Sequence, residues 1–264
     1  MWRLNEERRE GQTGQGPSRE EQRMKPVWYA SLFRLEKRLR SALPGHCAFC
    51  LGQTLEEKAW CQECFDRLPW NKRCCTRCAE PLTSVRQVLC THCRSELPAF
   101  SGAHVPFIFE GPIRQLVHNF KFEASPRAGH LMVDLYLETL TGDRESRLEN
   151  EVLLPVPLFA GRSQERGFNQ ADWFARQLGR HLDLPVINAT RLVDTPSQRM
   201  LGRQGRRDNL NDVFQLHLPS ASRVVIVDDV VTTGATAQSL ARTALAAGAM
   251  NVAVLAFART PLGA

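Results

Sequence analysis

The stretch Arg223 to Gly248, RVVIVDDVVTTGATAQSLARTALAAG, limits the folds open to this chain more than any other part of it. Its opening run, Val224 to Val227, is apolar and β-branched without alternation, the pattern of a strand buried on both faces of a parallel sheet. Asp228 and Asp229 are expected to end that strand. Thr232, Thr233 and Gly234 then form a small-residue turn, and Ala235 to Ala247 has the composition of a helix. A strand that breaks through glycine into a helix builds an anion site. The first helical N–H groups lack internal partners, and the helix dipole adds partial positive charge there. Thr232, Thr233 and Thr236 supply hydroxyl donors, and Gly234 lets the backbone approach closely. Two adjacent carboxylates suit a sugar diol or a hydrated divalent cation. Alone, DD or TTG fits an ordinary βα unit with solvated acids and a threonine cap. Together they describe a cradle for a phosphorylated sugar. The chain lacks GxxxxGK[ST], which argues against a P-loop nucleotide site.

Four cysteine pairs dominate the N-terminal third: Cys47 and Cys50, Cys61 and Cys64, Cys75 and Cys78, Cys90 and Cys93, with Cys74 left over from nine cysteines. Each pair is CxxC. Such a turn points two thiolates at one centre, and two turns complete the tetrahedral sulfur set that zinc prefers. The competing readings are a disulfide framework or a redox CxxC. The first needs an oxidising compartment, and the charged N-terminus carries no secretory signal. The second comes singly beside a βαβ unit rather than four times in succession. Two structural Zn2+ ions are therefore expected. Similar intervals within each half favour consecutive pairing, with an interleaved arrangement still open. Residues 46–95 are too few and too polar to fold by burial alone, and structural zinc contributes on the order of 10 kcal/mol in such modules. His46 and His92 adjoin ligands, but the sulfur count is already complete. With all positions filled by protein, neither ion is catalytic.

Around these features the chain divides into four parts. Residues 1–24 are polar and mixed in charge, as in disordered extensions. Residues 25–45 read as a basic amphipathic helix: Trp28, Leu32, Leu35 and Leu39 recur at helical spacing among Arg34, Lys37, Arg38 and Arg40. Such a helix packs on its own protein or lies on nucleic acid or a membrane. Residues 46–97 form the cysteine module. Residues 98–264 alternate strands and helices, which makes them a doubly wound α/β domain. Within it, VPFIFE reads as a strand, IRQLVHNFKF as a helix closed by Lys121, Gly129 to Leu140 as a second helix, and Val152 to Val156 as the first strand of the parallel core. Arg162 and Arg166 follow in a glycine-bounded loop before a helix starting near Asn169, where they suit a diphosphate. Residues 195–214 hold four arginines and two glycines. That composition suits a flap over a charged ligand, with Gln198, Arg206 and Asn209 as contacts and Phe214 as anchor. Asn251 to Phe257 reads as a further buried strand. A formal charge of +6 and pI near 9.0 favour anionic partners without choosing between nucleic acid and phosphorylated metabolites. No run is apolar for long enough to span a membrane, and the cytoplasm is the expected compartment.

The string VVIVDDVVTTGAT resembles the PRPP-binding motif of the type I phosphoribosyltransferases over thirteen consecutive positions. Read with the CxxC module, GPIRQLVHNFKF, PVPL followed by RGFNQA, and SQ-to-RRDN, the chain from about residue 46 to 259 resembles the ComF/GntX family. That resemblance implies a type I phosphoribosyltransferase-like parallel sheet behind a double zinc ribbon. It implies that Asp228 and Asp229 contact ribose hydroxyls, that Thr232, Thr233, Gly234, Ala235 and Thr236 wrap the 5-phosphate, and that Val230 and Val231 belong to the same ligand-binding stretch. It carries Lys121, Arg162, Arg166, Gly167, Asn169, Gln170, Gln198, Arg206 and Asn209 into the same pattern. The implied ligand is PRPP or a related phosphorylated ribose with Mg2+. The implied context is DNA uptake or utilisation. Turnover does not follow, because the fold also serves regulators. Two functions stay in view: transfer of a phosphoribosyl group to a nitrogenous acceptor with release of pyrophosphate, and a non-catalytic adaptor binding single-stranded DNA or DNA-uptake proteins. Neither a general base nor an acceptor pocket is legible.

Overall fold

The computed structural model describes residues 45–54, 58–140, 148, 151–158, 168–191, 213–218 and 222–262. The basic segment 27–43, the arginines Arg162 and Arg166, and the flap residues Gln198, Arg206 and Asn209 lie outside them. Contacts divide the chain into two units, Met1–Gln62 and Glu63–Ala264. In the first, β1 (Gly45–His46) pairs antiparallel with β2 (Gln53–Thr54), Gly45 opposite Thr54. A Cβ on Gly45 would stand 2.7 Å from Thr54 Oγ1, so the pairing needs glycine there.

The second unit is built on a parallel sheet. Its elements are α1 (Gln62–Asp66, beginning at the boundary), α2 (Thr91–Ser95), β3 (Ala103–His104), β4 (Phe107–Ile108), α3 (Gly111–Phe122), α4 (Pro126–Leu137), β5 (Glu151–Pro155), α5 (Gln170–Leu182), β6 (Thr190–Arg191), β7 (Phe214–Gln215), β8 (Arg223–Val231), α6 (Ala235–Ala246) and β9 (Asn251–Arg259). Sheet order is β3-β9-β8-β5, with β4 also on β9 and every pairing parallel. Val224, Ile226, Val252, Val254 and Ala256 share a core with Ala237, Leu240, Ala241 and Ala244 of α6. On the other face Phe257 meets Phe107 at 5.1 Å and Phe174 of α5 at 6.3 Å, and Tyr136 of α4 stands edge-on to Phe174. Strand alternation produces this split, and helices on both faces make the sheet doubly wound.

Local signals set the helix starts. Pro112 and Pro126 occupy the first turns of α3 and α4, where a missing N–H costs nothing. Ser125 accepts from the Ala128 amide, so α4 starts earlier than the expected Gly129. Gly129 instead lies where helices touch: a Cβ would come within 2.7 Å of Phe120 and 2.8 Å of Trp173. The expected strand VPFIFE pairs only at Phe107–Ile108. The carbonyls of Val105 and Pro106 are taken by Asn71, through its Nδ2 at 3.1 Å and its backbone N–H at 2.7 Å.

One expectation about the central strand is overturned. Asp228 and Asp229 do not end it; β8 continues to Val231. The reason is the length of β9, which offers Ala256, Ala258 and Arg259 as register partners to Asp228, Val230 and Val231. The acids therefore lie within a ladder.

Candidate functional site

Where β8 leaves the sheet, Val231 is buried and Thr232 and Thr233 are exposed. Gly234 caps α6 at φ 79°, with no side-chain cap bond. A Cβ there would meet nothing, so the left-handed backbone rather than space demands glycine. The Ala235 amide donates to Thr233 Oγ1 at 3.3 Å, and the first helical bond runs from Gln238 N–H to Gly234 O at 2.9 Å. The amides of Thr236 and Ala237 precede that ladder and are the donors a helix start presents to an anion. Thr236 is exposed and adds a third hydroxyl.

The acids stand just before this turn. Asp228 Oδ1 accepts from the Asp229 amide at 2.8 Å, and Asp229 Oδ1 accepts from the Val230 amide at 2.7 Å. Lys121, in the last turn of α3, places Nζ 2.7 Å from Asp229 Oδ2, with 20% of the lysine and 9% of the aspartate side chain exposed. The lysine that sequence pattern directs at phosphate is thus, in this state, the counter-ion of an acid. Burial, then the neighbouring Asp229 carboxylate, push the Asp228 carboxyl well above the ordinary carboxylate range; the Lys121 ammonium and the Asp229 amide oppose that shift. Ionising both acids would leave one negative charge in excess of Lys121, and a cation or a hydroxyl-rich ligand would relieve it.

Asn169 caps α5: its Oδ1 accepts from the amides of Ala171 at 3.0 Å and Asp172 at 3.3 Å, and its Nδ2 donates to Val156 O at 3.1 Å. Val156 N–H in turn reaches Val227 O at 2.9 Å, so the start of α5 is tied to the carboxyl end of β8. Next to it Gln170 is buried, and its Nε2 has no partner among the described residues. Phe214, the expected flap anchor, is buried in β7 opposite Arg191. Sequence reading missed one pair: Arg259, 1% exposed at the end of β9, donates through Nε and Nη2 to Glu80 Oε2 at 3.0 and 2.7 Å. The available signal was an arginine closing the apolar run NVAVLAFA.

The cysteines gather consecutively. Cys47, Cys50, Cys61 and Cys64 form one set and Cys75, Cys78, Cys90 and Cys93 the other, all sulfurs within 4.8 Å of one another in each. The interleaved alternative is therefore excluded. A zinc–sulfur tetrahedron with bonds of about 2.3 Å has edges of about 3.8 Å, and Cys50–Cys61 and Cys78–Cys90 are 3.9 and 3.6 Å apart. The thiols fit the ion. Both leading turns share one geometry: Leu51 and Ala79 are left-handed at φ 62° and 57°, and their amides bond Cys47 O and Cys75 O, each at 2.9 Å. Burial opposes ionisation of Cys47 and Cys75, but surrounding backbone N–H groups lower them to about 6 and about 7. Burial pushes Cys78 up to about 12.

Residues 38–94 match the double zinc ribbon domain family. The DNA utilization protein YhgH of Escherichia coli O157:H7 is 34% identical over 226 residues, covering 83% of this chain and 98% of that protein. Competence protein F of Haemophilus influenzae is 30% identical, covering 81% and 96%. Among solved structures, the adenine phosphoribosyltransferase of Thermoanaerobacter pseudethanolicus is 14% identical with a TM-score of 0.34, covering 52% of this chain and 83% of that one. Among the described residues, no helix is long and apolar enough to cross a membrane.

Proposed function

The chain belongs to the ComF/GntX family, and from that premise we propose that it binds PRPP where β8 passes into α6 and transfers the phosphoribosyl group to a nitrogenous acceptor. One observation carries the reading: two acids near the end of a buried strand lead, through Val230 and Val231, into exposed threonines and a left-handed Gly234 that opens a helix. The 5-phosphate would sit against the first amides of α6 and the hydroxyls of Thr232, Thr233 and Thr236. Asp228 would accept from a ribose hydroxyl. Asp229 would do so once Lys121 turns from it toward phosphate, an exchange of one anion for another.

In the reaction the acceptor nitrogen attacks C1, forming N–C1 as the bond from C1 to pyrophosphate breaks. Pyrophosphate leaves with the electron pair, and the proton given up by the acceptor nitrogen passes to the departing pyrophosphate or to solvent. Positive charge grows on the sugar, and the carboxylates of Asp228 and Asp229 stabilise it. Loss of one such preorganised group typically costs about 10² to 10³ in rate. Mg2+, with the hard oxygen ligands it prefers, would arrive with the substrate and neutralise charge on the diphosphate; the carboxylate of Asp228 fits that preference. Arg162 and Arg166 are assigned to the diphosphate, and Gln198, Arg206 and Asn209 to the flap, from sequence pattern.

The test is calorimetric titration of PRPP with and without Mg2+, followed by a screen of nitrogenous acceptors for pyrophosphate release. Magnesium-dependent binding is expected. No heat in either condition would end the reading. Binding without release for any acceptor would leave a sugar-phosphate sensor. In that case the relatives' names direct attention to DNA, and labelled single strands at low and high salt would show whether the zinc ribbons hold it.

A further inference from the structure

We infer that Glu80 and Arg259 are positioning residues that tie the leading turn of the second four-cysteine set to the loop Val231–Thr236, so that this zinc ribbon shapes the phosphate cradle. The inference rests on the PRPP reading of that loop and adds a dependence on residues far from it in sequence.

Arg259 is the register partner of Val231, the last strand residue before the loop. On the other side it pairs with Ile108 of β4. Just beyond it, Thr260 N–H donates to Val231 O at 2.9 Å. The Arg259 side chain, 1% exposed, then spends two nitrogens on a single Glu80 oxygen. The other oxygen accepts from Leu262 N–H at 2.8 Å. Glu80 cannot drift, because the Cys75 turn holds it: Cys75 N–H donates to Glu80 O at 2.8 Å, and Ala79 is fully buried in the same core as Val231 and Ala237. A second strap reaches the loop's other end. Past Cys93, the Ala99 amide donates to Oε1 of Gln238 at 2.7 Å, in the first turns of α6. Loop Val231–Thr236 is thus braced before and after by the cysteine module or the segment leaving it.

This arrangement does more than stabilise a fold. A buried guanidinium aimed at one carboxylate is costly without that partner, and Arg259 Nη1 has no partner among the described residues. Loosening Glu80 therefore forces Arg259 to move, and with it the backbone that sets the Val231 carbonyl. Misplacement of a binding group by about 1 Å can cost up to about 100-fold. A useful control stands at the opposite end of the sheet. Glu151, also buried, pairs with Arg223 at 3.3 Å where β5 and β8 begin, far from the loop along the strand.

The experiment compares Glu80→Gln with Glu151→Gln in the zinc-loaded full chain, well below both melting temperatures. It reads PRPP affinity with Mg2+ and amide hydrogen exchange at residues 231–236. Glu80→Gln should weaken PRPP by about 10-fold or more and speed exchange in the loop, with two zinc ions per chain retained. Glu151→Gln should leave both readouts unchanged. Equal effects from the two variants, or unaltered exchange in Glu80→Gln, would overturn the inference. Should Glu80→Gln fail to fold, Glu80→Asp, which keeps the charge and shortens its reach, gives the same readouts. Absence of PRPP binding by the wild type would count against the proposed ligand alone, since the exchange measurement judges the coupling independently.

Discussion

Replacing Lys121 with methionine tests the charge arrangement at the candidate site directly. The perturbation keeps most of the side-chain volume and removes the only cation placed against Asp229 among the described residues. At 2.7 Å the pair's gross attraction is about 6 kcal/mol for an effective dielectric near 20. Desolvation offsets much of that. Removing one partner of a buried pair nevertheless costs about 3–5 kcal/mol, since the other charge stays buried and unpaired. Lys121 retains 20% exposure, so the lower end, about 3 kcal/mol, applies. In a unit of this size that corresponds to a fall in melting temperature of about 6–12 °C. The deficit should depend on pH with a definite sign. Asp228 is already raised above its ordinary range, and the variant removes the ammonium that opposes the shift. A carboxyl raised by folding contributes stability below its unfolded pKa and loses it as pH rises through its folded value. Urea unfolding should therefore show the largest deficit near pH 8 and a smaller one toward the ordinary carboxylate range. A loss under about 1 kcal/mol, or an identical deficit at both ends of that range, would refute the reasoning.

Asp228→Asn should raise stability at neutral pH, by an increment that vanishes in acid, while abolishing PRPP binding; a thermal melt against pH and a titration check both halves. Cys61→Ser should reduce metal content from two zinc ions to one per chain by elemental analysis, since its sulfur belongs to a complete four-thiol set. Gly129→Ala, a change that ordinarily favours helices, should here destabilise by about 1–3 kcal/mol in a urea titration, because its Cβ would enter the space of Phe120 and Trp173.

The chain's local chemistry dictated much of this protein on its own. CxxC spacing selects metal-binding turns because two thiolates must converge on one centre. An unbroken apolar run followed by acids, threonines and glycine selects a buried strand entering a helix, because each step follows from backbone sterics and hydrogen-bond supply. Those signals act over fewer than about fifteen residues, within reach of a linear reading. Tertiary structure decided what depends on pairing across distance. Asp228 and Asp229 remain in the ladder only because β9 extends to Arg259. Lys121 stands against Asp229 because α3, packed on α4 and α5 where Phe120 meets Gly129 and Trp173, brings its last turn to β8, a fact absent from its helix-terminal position in sequence. Glu80 meets Arg259 across 179 residues, and no local pattern marks a glutamate after a cysteine turn as the partner of a strand-end arginine. Long-range electrostatics needs both ends in place before either residue acquires its role.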